Sequence, residues 1–151
     1  VEGDRVGPVR LGASLSELRA AVPASRDTTF TLGEGQQERG VAVPLAGGAA
    51  TLALIVDSRV DRIIVSDPRL QTERGLGVGS TFQQLRQTYG RACSAPAAAG
   101  GTAVWFPNLP GISFAFDARA ASPQDTAAAR APVPDAARVR ELWVRRGVDT
   151  C

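Results

Sequence analysis

Apolar and polar residues alternate through Val6–Leu11. The period then lengthens, with Leu15, Leu18 and Val22 recurring three to four residues apart behind Ser14, and with Glu17 three residues after that serine. An S-x-x-E spacing ahead of an apolar stripe predicts a capped helix start, and Pro23, which has no N–H to give, ends the helix. The period then returns to two. Thr28–Leu32, Val41–Leu45, Thr51–Val56 and Val60–Val65 are β-branched runs separated by Gly33–Gly35, Gly47-Gly48 and Asp57-Ser58-Arg59, the pattern of an antiparallel meander with tight turns. A second series begins at Ser80 or Thr81 as cap, with Gln83 or Gln84 in place of the box carboxylate. It continues with Phe82, Leu85 and Tyr89 as the apolar face and Gly90 as the stop. Strands over Ala103–Phe106, Ile112–Phe116 and Val139–Val144 follow, the first two joined by a turn at Pro107–Gly111.

The two series align without a gap. Val9–Val22 matches Leu76–Tyr89, each pair as far apart as Gly12 is from Gly79: Leu11/Val78, Ser14/Thr81, Leu15/Phe82, Leu18/Leu85, Arg19/Arg86 and Val22/Tyr89. A looser echo relates Leu54–Arg59 to Phe114–Arg119, and Val60–Val65 to Val139–Val144. The fold class expected is α+β, with two tandem helix-plus-antiparallel-sheet repeats, 1–72 and 73–151, packed as one compact unit. Each half can bury in the other an apolar face that it cannot cover alone. The second half carries an Ala/Pro-rich insertion at about 118–138, too poor in large apolar residues for a core of its own, with a short helix expected around Gln124–Arg130.

Composition removes several chemistries. At 151 residues and 44% hydrophobic content the chain can fill a core, and no apolar run approaches the roughly 18 to 20 residues that cross a bilayer. Without histidine there is no Ser-His-Asp or Cys-His arrangement and no His-based metal site. Two cysteines are too few for structural zinc, so neither metal nor cofactor is expected, and no catalytic residue. All 17 basic residues are arginine and there is no Met. Val1 is therefore not expected to be the native start, and either an upstream leader or a cloning truncation is expected to account for the missing residues.

The net charge is +2, with both signs interspersed. Arg138, Arg140, Arg145 and Arg146 are the one basic concentration. On an alternating strand Arg138 and Arg140 share a face opposite Val139, so they read as a solvated strand edge, and Arg138, Arg140 and Arg145 as the candidate interaction surface. With 5% aromatic residues and no stacking motif, no nucleic-acid partner is expected.

Three further features have structural readings. Cys93, just after the second helix, and Cys151, the last residue, can pair in an exported protein, closing a loop worth about 4 kcal/mol in the chain-entropy model; the alternative is a buried Cys93 and a free Cys151. Gly75, Gly77 and Gly79 precede a helix, but Phe82 stands where a dinucleotide fingerprint needs its third glycine, so they read as turn glycines. Asp57, Asp61, Asp67 and Asp117 lie near turns, where Asp caps the backbone; shared acid/base work or calcium binding is the rival reading.

The segment Arg62–Cys93 and the closing Val139–Arg146 resemble a bacterial family of small sigma-E-regulated envelope lipoproteins of unknown function. The matching pattern is an R-I-x-V-x-D strand, a G-x-x-x-G-[ST]-x-F-x-x-L helix start, an aromatic with Gly-x-x-Cys, and a last strand ending W-x-x-R. It falls on Arg62, Ile63, Val65, Asp67, Gly75, Gly79, Ser80, Phe82, Leu85, Tyr89, Gly90, Cys93, Trp143 and Arg146. The resemblance implies a periplasmic or outer-membrane-anchored lipoprotein, touching the membrane only through a lipid anchor upstream of Val1, and it carries over no catalytic residue. Together these readings predict a non-catalytic protein-interaction or envelope-maintenance module whose partner is an envelope protein or lipid. A small-molecule or lipid binder using a cleft between the two repeats is the alternative, and a hydrolase with paired carboxylates is the second rival.

Overall fold

A computed structural model describes residues 1–31, 37–97, 100–118 and 132–151. The expected turn at Gly33–Gly35, the helix around Gln124–Arg130 and most of the Ala/Pro insertion lie outside these residues. A two-stranded ribbon, β1 (Arg5–Val6) with β2 (Val9–Arg10), leads into α1 (Leu15–Ala21), followed by β3 (Arg26–Thr31), β4 (Gln37–Pro44), β5 (Ala50–Val56) and β6 (Arg59–Val65). Then come α2 (Phe82–Tyr89), β7 (Cys93–Pro96), β8 (Thr102–Trp105), β9 (Ile112–Phe116) and β10 (Val139–Val144). The fold is α+β: two helices against one eight-stranded antiparallel sheet in the order β3-β4-β5-β6-β10-β9-β8-β7.

Local chemistry explains the helix starts. Ser14 Oγ accepts the Glu17 N–H at 3.1 Å, while the Glu17 carboxylate turns back only to the Ser14 hydroxyl. Thr81 caps α2 more completely: its Oγ1 accepts the Gln84 N–H and Gln84 Oε1 accepts the Thr81 N–H at 2.9 Å, so the glutamine closes the reciprocal box that the glutamate leaves half made. In front of each cap a glycine with positive φ, Gly12 at 81° and Gly79 at 91°, turns the chain where a side chain would be strained.

The backbone contacts of these two lead-in segments correspond. Gly12 N–H donates to Val60 O and Gly79 N–H to Val139 O; Val60 N–H donates to Ala13 O and Val139 N–H to Ser80 O; Leu15 N–H donates to Ser58 O and Phe82 N–H to Ala137 O. Arg59 and Arg138 each donate from Nη1 to the carbonyl of the matching glycine, at 2.9 and 2.7 Å. At the centre of the sheet Ile64 stands opposite Trp143, flanked by Ile63↔Val144 and Val65↔Leu142. The two central strands therefore meet at equivalent residues of the sequence alignment.

The looser echo needs a correction. Ile64 pairs Leu52 where Trp143 pairs Ser113, and Ile63 pairs Ala53 where Leu142 pairs Phe114. Leu54 therefore corresponds to Ala115, one residue away from the sequence match to Phe114. Strand side chains alternate between faces, so that slip would put the outward Leu54 in register with the inward Phe114.

The core lies between the helices and one sheet face. Leu18 from α1 and Phe82, Leu85 and Tyr89 from α2 pack with Val41, Val43, Ala53, Ile55, Ile63 and Val65 and with Val104, Ile112, Phe114, Phe116, Leu142 and Val144. Under α2 the packing is aromatic, Phe82 edge-on to Phe116 at 6.2 Å and Phe106 to Phe114 at 6.0 Å. Burying each such ring contributes about 1.5–3 kcal/mol.

Candidate functional site

The other face of the sheet carries no helix among the described residues. One row of cross-strand neighbours runs across all eight strands: Arg26, Ala42, Leu52, Ile64, Trp143, Ser113, Trp105 and Cys93. Trp105 and Trp143 are half-buried, and Val56, at the end of β5, is the one exposed large apolar side chain among the described residues, at 43%.

The next row over the second half is Glu141, Ala115, Ala103 and Ala95, on four adjacent strands. Three alanines side by side next to two tryptophans leave a depression, because the alanine side chains stop at Cβ. This groove of about 290 Å³ is floored by Ala95, Ala103, Ala115 and Ser113 and walled by Trp143, with Arg62, Arg140, Glu141 and Arg145 at its rim. The indole is held from both sides. Its Nε1–H donates to Glu141 Oε1 at 2.7 Å, and the Arg62 guanidinium lies 5.5 Å from its ring centroid, within cation–π range. A second, more open depression of about 410 Å³ adjoins it and shares Arg62 and Arg145, with Arg59 and Arg146 beyond.

The rim arginines differ in their partners. Arg62 pairs with Asp61 at 3.1 Å, and Arg140 with Asp117 and, at 3.7 Å, with Glu141. Arg145 has no carboxylate within ion-pair distance among the described residues, and its buried Nε has no hydrogen-bond partner. Burial, and then the positive charge of Arg62, hold its guanidinium below the ordinary arginine range.

The candidate surface read from sequence is thus divided. Arg138 braces the Gly79 turn away from the groove, whereas Arg140 and Arg145 line it. Simple alternation fails here because Val139 pairs Phe116 and Glu141 pairs Ala115, leaving Arg140 as the extra residue of a β-bulge, which breaks the two-residue period. Cys93 and Cys151 form a disulfide. With the Trp105 Nε1–H donating to Thr150 O at 2.9 Å, it ties the C-terminal segment to this face. The acids are dispersed: Asp57 in the β5–β6 turn, Asp61 with Arg62, Asp67 with Arg69, Asp117 with Arg140. Gly75, Gly77 and Gly79 fall in the turns before α2. Arg62, Trp143 and the alanine row were missed as a unit in the sequence, where their separate strands hide their proximity; alanines at matched cross-strand positions are the signal once the register is known.

The fold matches the crystal structure of the uncharacterized protein YfeY from Escherichia coli, with a TM-score of 0.62 over 97% of this chain and 99% of that one, at 19% sequence identity. The likeness at that identity is one of fold. No family model matches the chain, and no curated protein matches it significantly.

Proposed function

We propose that the chain is an exported, non-catalytic interaction module of the bacterial envelope, made of two tandem helix-sheet units and docking a protein partner on the helix-free face of its sheet. The observation that carries this reading is that face itself, where half-buried Trp143 walls a groove, Trp105 stands in the same cross-strand row and exposed Val56 lines the adjoining depression, while both helices are spent on the opposite side. Accessible aromatic and apolar surface of this kind marks binding sites. The matched hydrogen bonds before α1 and α2 favour two tandem units. The Cys93–Cys151 disulfide favours an oxidising compartment and agrees with the lipoprotein resemblance in the sequence. The alternative, a small-molecule or lipid binder, is favoured by the position of the groove, whose rim takes Arg62 from β6 and Arg140 and Arg145 from and after β10.

Crosslinking in the native envelope tests this, with a photoreactive residue in place of Val56. A discrete protein adduct that disappears in Trp143→Ser supports the reading, an adduct with lipid alone favours the alternative, and no adduct above background overturns both.

A further inference from the structure

The groove can be assigned an occupant from its own chemistry. Its floor is alanine and its wall a tryptophan fixed by Glu141 and Arg62, so an apolar group placed there meets a surface already ordered for it. Two of its three arginines are matched by Asp61 and Asp117; among the described residues Arg145 has no such partner, and its Nε–H lacks an acceptor. The Nε is itself buried, but Arg145 also lines the groove, where the positive charge of Arg62 acts on it without a carboxylate to balance it. A carboxylate set against the groove side of the guanidinium relieves that repulsion through the charge-assisted geometry that arginine favours. Size narrows the source further. About 290 Å³ lies at the bottom of the range for small-molecule pockets, roughly 300–1,000 Å³, and suits one or two protruding side chains better than an acyl chain. Glu141 at the rim also disfavours a doubly charged phosphate.

We propose that this groove receives an acidic side chain of the protein partner, an Asp or Glu followed or preceded by an apolar residue. The carboxylate binds the Arg145 guanidinium and the apolar neighbour lies on Ala103 and Ala115 against Trp143. This deepens the interaction reading above and rests on it.

The test uses the disulfide-bonded chain and a panel of acetylated tripeptide amides that pair Asp or Glu with Leu, Phe or Tyr, followed by the indole N–H resonances of Trp105 and Trp143. The expected result is a saturable shift of Trp143 that weakens at least tenfold when Asn or Gln replaces the acid. It also weakens several-fold in Arg145→Lys, which keeps the charge but loses the planar fork, and is abolished in Ala103→Leu, which fills the floor. Each variant is required to keep the wild-type near-ultraviolet circular dichroism. Equal binding of acid and amide peptides, no shift of Trp143, or an equal shift with inorganic phosphate or phosphatidylglycerol vesicles overturns the assignment. The envelope crosslink separates the two failures. An adduct lost in Trp143→Ser but unchanged in Arg145→Lys and Ala103→Leu keeps the interaction face and removes the acidic occupant, whereas a missing adduct removes the function whatever the peptides do.

Discussion

The lead-ins to the two helices make the same hydrogen bonds, yet the two ends that leave the central strands are secured by different physics. After β6, Asp67 accepts from the backbone N–H and the guanidinium of Arg69, and Arg69 in turn donates to Gly47 O and Gly48 O at 2.9 and 2.8 Å. After β10 the chain is closed covalently, by Cys93–Cys151, with Trp105 holding Thr150. The cores differ too, aliphatic under α1 and aromatic under α2. Backbone geometry is thus set by a few turn and cap positions that both halves share. Side chains are free to diverge around it, as Leu52 and Leu54 do from Ser113 and Ala115, and the groove lies over the alanines of β7, β8 and β9.

The largest expected effect falls on the covalent end. Replacing both Cys93 and Cys151 by Ser opens a loop of sequence separation 58 and is expected to cost about 4 kcal/mol, the loop-closure value for that length. Denaturant unfolding of the oxidised and double-Ser proteins measures it. The prediction fails if the loss is below about 1 kcal/mol, which would make the C-terminal segment dispensable to the second half.

Next come the shared lead-ins, where the halves should respond alike. Gly12→Ala and Gly79→Ala each place a Cβ at positive φ and are expected to cost about 1–2 kcal/mol. The space beside Gly79 is open, and a Cβ on Gly12 would meet only the movable tip of Arg146, at 2.8 Å from Nη2, so the two losses should be alike. The caps come next. Thr81→Ala and Ser14→Ala each remove one side-chain acceptor from a helix N–H, so about 1 kcal/mol is expected at either cap. The difference lies at the third helical residue: Gln84→Ala frees the Thr81 N–H and should cost more than Glu17→Ala, whose carboxylate meets only the Ser14 hydroxyl. Equal losses at Gln84 and Glu17 would remove the distinction drawn between glutamine and glutamate closure.

These positions also mark what was legible in the sequence. Ser14, Pro23, Thr81 and Gly90 act locally, through hydrogen bonds within a few residues, and the helices fall over Leu15–Ala21 and Phe82–Tyr89 as their spacing predicts. The Asp57-Ser58 turn is equally local, with both residues at positive φ, as a two-residue hairpin requires. The adjacency of β6 and β10 is a long-range pairing that no local pattern encodes. β7, with the sequence Cys-Ser-Ala-Pro, has none of the β-branched or aromatic residues that announce a strand. The groove was hidden for both reasons, since it needs the register of four strands and is made by residues too small to leave a pattern.

The smallest effect is expected at the electrostatic end, and it depends on pH. The Arg69 guanidinium, and then its backbone N–H, hold the Asp67 carboxyl down at about 2, below its ordinary value of 3.8. A carboxyl with its folded-state pKa depressed binds its proton more readily in the unfolded chain. Its contribution is therefore fully present above about pH 4 and is lost as pH falls towards 2. Wild type should lose stability across that window, and Asp67→Asn, which lacks the titrating group, should start lower at neutral pH and lose less on acidification. Because the Arg69 side chain is 58% exposed, although that of Asp67 is only 14%, 0.5 M salt should narrow the gap between the two proteins at neutral pH. The same salt should leave the cost of opening the disulfide unchanged, since chain entropy is not screened. A salt-insensitive Asp67→Asn gap would mean that the first half is closed by the hydrogen-bond geometry of Arg69 on Gly47 and Gly48 rather than by charge, and the two ends would then differ less than the structure indicates.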